Sequence, residues 1–96
     1  MVTREDIANR RHEILEIAKR HGASDVRVFG SVARGDVHDA SDLDLLVRFE
    51  PGRSLLDHGA LIDELEDLLG IKVDVVSEGG LRGRLRDRVL NEVVPV

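Results

Sequence analysis

Two short segments constrain this chain more than any others. The first is Phe29-Gly30-Ser31-Val32-Ala33-Arg34-Gly35. The second, Ser41-Asp42-Leu43-Asp44, begins after a polar loop that runs through Asp36, His38 and Asp39. The first stops an apolar strand (Val26 to Phe29) at a glycine. The second opens the next apolar run (Leu43 to Phe49) with acids at alternate positions. Strand side chains alternate faces with a period of two, so Asp42 and Asp44 share one side while Leu43, Leu45 and Val47 pack on the other. The fold must therefore bury one face of this strand and leave the start of the other face open.

Neighbouring carboxylates repel each other, and a divalent cation removes that penalty. Magnesium takes hard oxygen ligands, commonly one or two carboxylates together with substrate phosphates. An acidic pair on a strand can bridge two such ions during in-line displacement at phosphorus. A third acid, Asp74, lies in the run Ile71 to Val76. Val73 and Val75 would face the core, which turns Asp74 the other way. With this strand beside Leu43–Phe49, Asp74 could bind the ion that activates the nucleophile, or accept the nucleophile's proton. Taken alone, the same residue would read as an ordinary solvent-facing aspartate.

Gly30 permits a sharp turn and close approach of a phosphate to the backbone. Ser31 adds a hydroxyl and an amide N–H. Arg34 suits either a phosphate contact or an ion pair with Asp36, Asp39 or Asp42. The motif is not a Walker loop, because no Gly-Lys-Ser/Thr ending follows Gly30–Gly35. The four histidines, His12, His21, His38 and His58, lack zinc-ligand spacing. Only His38 falls near the carboxylates.

Around these segments the patterning predicts the element order α-β-β-α-β-α. Thr3 and Asp6 suggest a helix start, and an apolar face through Ile7, Ile14, Leu15, Ile17 and Ala18 predicts a helix over 4–21. Ser54 can cap a second helix carrying Leu55, Leu61, Ile62, Leu65, Leu68 and Leu69 at helical spacing, and Gly70 stops it. Leu81, Leu85 and Val89 mark a last amphipathic helix, followed by the apolar tail Val93 to Val96, which either caps the core or docks on another subunit. The expected fold class is α/β (α+β), a small mixed β-sheet flanked by helices, in one domain over residues 1–96.

Composition narrows the function. The chain has 96 residues, no cysteine and two aromatic residues, Phe29 and Phe49. Disulfides, thiolate metal sites and thiol nucleophiles are excluded. There is almost nothing on which to stack bases, and the net charge is −5, so the sequence speaks against nucleic acid as a partner. The one basic cluster, Arg82, Arg84, Arg86 and Arg88, spreads over an arc of a helix and reads as a solvated face. The charged N-terminus and the lack of an apolar run near the roughly 20 residues of a membrane span point to a soluble, cytoplasmic protein.

Gly30-Ser31, the ten-residue spacer and Asp42-Leu43-Asp44-Leu45 resemble the signature of the DNA-polymerase-β-like nucleotidyltransferase superfamily. The fuller form, GSVARG followed by SDLDLLV, resembles its minimal nucleotidyltransferases. Many of those are antitoxins paired with HEPN-type ribonuclease toxins. The resemblance implies that Asp42 and Asp44 bind two magnesium ions, that Asp74 assists the nucleophile, and that Gly30 and Ser31 hold the triphosphate. It implies transfer of AMP from ATP to a hydroxyl side chain of the toxin. Larger members carry an extra helical domain that grips base or acceptor. None follows here, so the acceptor surface is expected from a partner or a second copy. Two other readings stay open: an antitoxin that neutralises by occlusion alone, and a homodimer acting on a small molecule.

Overall fold

The computed structural model describes residues 3–35 and 43–96. Its frame is a four-stranded sheet built from β1 (Ala23–Phe29), β2 (Leu43–Phe49), β3 (Val73–Ser77) and β4 (Val94–Pro95), in the order β3-β2-β1-β4. β1 runs antiparallel to both β2 and β4, whereas β3 runs parallel to β2. The parallel pairing requires a crossover, and α4 (Leu55–Leu69) supplies it.

Sheet alternation divides the apolar residues into two cores. Leu43, Leu45, Val47, Val28, Val73 and Val75 face the larger one, with Ile7, Ile14, Ile17, Leu61 and Leu65 from the helices. Leu46 faces the opposite side and packs with Leu81 and Val89, bordered by Phe29, Val76, Leu90 and Val93. Leu43, Leu45 and Leu46 are fully buried, each contributing roughly 1.5–3 kcal/mol of transfer free energy. α5 (Gly83–Glu92) packs on this second sheet face through Val89.

The N-terminal helix departs from the continuous element expected over 4–21. It divides into α1 (Arg4–Asn9) and α2 (Arg11–Arg20) at Arg10, whose φ and ψ are −105° and 13°. Arg10 N–H turns back to the Ile7 carbonyl, closing α1 at Asn9. Apolar spacing did not reveal the break because Ile7 and Ile14 still point into the same core. Thr3 and Asp6 form the reciprocal capping box at the start of α1, and Ser54 and Asp57 form another at α4.

β1 begins three residues earlier than the alternation suggests. Between Ser24 and Arg27 its register against β2 slips by one, a bulge in which Asp25 adopts a positive φ of 52°. The extra residue breaks the in/out pattern that marks a strand in sequence. The tail expected to cap the core or dock elsewhere forms β4 on the free edge of β1. Val94 pairs with Val28, and Val96 N–H donates to the Val26 carbonyl.

Candidate active site

β1 ends at Phe29 and the chain turns at once into α3 (Gly30–Arg34). Gly30 makes this possible. It is buried with φ +73°, a conformation that costs a residue with a side chain roughly 1–2 kcal/mol. A Cβ placed there would also collide with the Asp44 carboxylate, at its Oδ2 oxygen. The glycine thus serves the turn and the approach of Asp44 together.

Asp44 follows Leu43 on β2 and pairs with Phe29 across β1 and with Asp74 across β3. Partners in register on adjacent strands project to the same face, with backbones roughly 4.8 Å apart. The two acids therefore stand side by side on the face that α5 covers only in part. Asp44 is half-buried and Asp74 is exposed. The adjacency of β2 and β3 on which the reading of Asp74 depended is present. Asp42 and His38 lie outside the described residues. Among the described residues no cluster of three metal-binding side chains occurs; Asp44 and Asp74 supply two carboxylates.

The other side of the turn is held by a residue that sequence reading missed. Glu92, at the end of α5, accepts the Gly30 N–H on Oε1 at 3.1 Å and the Arg34 guanidinium on Oε2 at 3.1 Å. Arg34 is thus ion-paired to an acid far along the chain, whereas Asp36, Asp39 and Asp42 lie outside the described residues. Helical spacing carried the signal: Glu92 is three residues after the buried Val89, on the face of α5 that meets the sheet. Ser31 sits half-buried in the first turn of α3.

The histidines take structural positions where they are described. His21 bonds Glu64 at 2.8 Å, and His58 bonds the Val75 carbonyl. Arg82 at the N-cap of α5 and Arg84, Arg86 and Arg88 within it are exposed, as a solvated face requires. A surface hollow of about 400 Å³ between α1 and β4, lined by Arg4, Ile7, Val28 and Val94 among others, includes none of the acidic site residues. The chemistry-bearing groups are instead at the open sheet end around Gly30, Asp44 and Asp74.

A strand, a glycine turn and carboxylates on the two neighbouring strands form one constellation here. The family model for the nucleotidyltransferase domain matches residues 11–96, which span all of it. The chain belongs to the nucleotidyltransferase domain family. A Thermococcus cleftensis protein adenylyltransferase is 43% identical over 81 residues, covering 84% of this chain and 82% of the relative. A Methanocaldococcus jannaschii protein named as a "putative protein adenylyltransferase" is 43% identical over 86 residues, 90% of this chain and 92% of its own.

Solved structures agree with this nucleotidyltransferase fold. One described as a "putative minimal nucleotidyltransferase" superposes with a TM-score of 0.88 at 56% identity, covering 99% of this chain and 97% of that one. A toxin-antitoxin crystal structure with AMP-PNP contains a chain that matches with a TM-score of 0.76 at 21% identity, covering 88% of this chain and 69% of its own. The second likeness concerns the fold alone. No helix among the described residues is long and apolar enough to cross a membrane.

Proposed function

We propose that this nucleotidyltransferase transfers AMP from ATP to a hydroxyl side chain of a partner protein, a HEPN-type toxin, and thereby acts as an antitoxin in the cytoplasm. The observation that carries the reading is the in-register pairing of Asp44 with Asp74 beside the Gly30 turn. The names of the relatives, protein adenylyltransferases, support AMP as the group and protein as the acceptor. The toxin-antitoxin neighbour with its ATP analogue supports the kind of partner and nucleotide.

The donor set suits magnesium, since hard carboxylate oxygens on adjacent strands are its usual protein ligands. Asp42, Asp44 and Asp74 would hold it, as two ions. When bound, magnesium neutralises charge on the phosphate oxygens in the transition state. Asp74, more open than Asp44, takes the proton from the acceptor hydroxyl. The acceptor oxygen then bonds to the α-phosphorus as the bond to the β-phosphate oxygen breaks, and pyrophosphate leaves. Gly30 contributes by lacking a side chain beside Asp44. Ser31 offers its hydroxyl and N–H to the triphosphate, and Arg34 offers positive charge at the rim.

Intact mass spectrometry of the co-purified partner after incubation with magnesium and each of the four NTPs tests the reading. The expected result is a gain of one or more AMP units with ATP alone, absent in Asp44→Asn. A stable complex with no mass change would overturn transfer in favour of occlusion. Modification of an added small alcohol, with the protein unchanged, would point to a small-molecule acceptor.

A further inference from the structure

The contact between Glu92 and α3 is not explained by packing. α5 already docks through Val89 and Leu90 against Leu46. Glu92 adds a charged side chain, 26% exposed, whose two oxygens bind opposite ends of one five-residue helix. Oε1 takes the N–H of Gly30, the residue that sits against Asp44. Oε2 takes Arg34, whose side chain is 51% exposed. A single carboxylate thus ties both ends of the Gly30–Arg34 turn to α5. Hydrogen bonds to an ionised group contribute more than neutral ones.

We infer that Glu92 is a positioning residue for nucleotidyl transfer. It fixes the turn so that Ser31 and Arg34 meet the triphosphate in register with Asp44. The inference rests on the reading of this turn as part of the transfer site. The Gly30 N–H is engaged by Glu92, so it is the framework of the site and not one of the groups that bind phosphate. Small displacements of positioning groups cost up to about a hundredfold in rate, which sets the expected scale.

The test compares wild type with Glu92→Ala, Glu92→Gln and Val89→Ala at equal folded fraction. Steady-state transfer is measured over a range of ATP concentrations, and exchange of the Gly30 amide is followed by NMR. The expected result for Glu92→Ala is a rise in KM for ATP of about ten- to a hundredfold. Glu92→Gln keeps an oxygen for Gly30 and should fall between it and wild type. Val89→Ala loosens α5 without touching the contact and should leave KM unchanged. Gly30 exchange should accelerate about tenfold or more in Glu92→Ala, whereas Leu45 exchange stays slow.

Unchanged KM in Glu92→Ala would overturn the inference, as would an equal rise in Val89→Ala. A lower KM in Glu92→Ala would mean that the carboxylate competes with the triphosphate, which also overturns it. A wild-type chain that transfers nothing would overturn the proposed function instead. The Gly30 exchange rates then still decide whether Glu92 holds the turn.

Discussion

The sheet face under α5 has two ends, and they treat acidic residues in opposite ways. At one end Glu78 accepts Arg27 Nη1 at 2.6 Å and Arg48 Nε at 2.9 Å, with Asp25 3.5 Å from both arginines. The Arg27 and Glu78 side chains are only 12% and 14% exposed. At the other end Asp44 and Asp74 stand in register on neighbouring strands. Like charges directly opposite one another destabilise a sheet. The ion-paired end fastens β1 and β2 to the turn Glu78–Gly80 that precedes α5. In the function proposed above, the acidic end is where a cation and the nucleotide phosphates would bind. The difference teaches that the type of residue on an outward strand position says little by itself. What faces it across the sheet decides whether it serves stability or chemistry.

The largest break in that comparison should come from the acidic end. Asp44→Asn should lower transfer by several kcal/mol of transition-state stabilisation, roughly a hundredfold or more, measured as AMP incorporation into the partner. Asp74→Asn should cost about 10²–10⁴-fold in transfer if the residue takes the acceptor proton, with ATP binding little changed by equilibrium titration.

Gly30→Ala sits at the boundary of the two effects. Its positive φ adds about 1–2 kcal/mol of strain, and its Cβ drives Asp44 away. It should lose activity beyond what its modest loss of stability in denaturant titration explains.

The smallest effect belongs to the ion-paired end. Hydrogen bonding from Arg27, then from Arg48, holds the Glu78 carboxyl below the ordinary glutamate value despite some desolvation. The folded chain therefore binds fewer protons at Glu78 than the unfolded chain. The resulting stability is fully present above the ordinary glutamate range and is lost as pH falls through the depressed value. Glu78→Gln should melt below wild type at neutral pH, the gap should close in acid, and transfer should be unchanged. A gap that widened in acid would contradict the assignment.

Much of this was legible in the sequence because it is local. Gly30 after an apolar run, Asp44 within Leu43–Phe49 and Asp74 within an alternating run each declare their strand and face. The features that were not legible depend on distant partners. The bulge at Asp25 is fixed by pairing with β2, and β4 exists only because β1 offers a free edge. Glu92 reaches Gly30 across 62 residues, and its spacing from Val89 marks only a helix face, not the partner. The break at Arg10 leaves apolar spacing intact, so periodicity passes over it.

The most direct measurement is the rate of AMP incorporation from labelled ATP into the co-purified partner, taken at equal folded fraction for Asp44→Asn and Glu78→Gln. Incorporation should be lost in the first and retained in the second. Equal loss in both, or retention in Asp44→Asn, would contradict the division of this sheet face into a reactive end and a structural one.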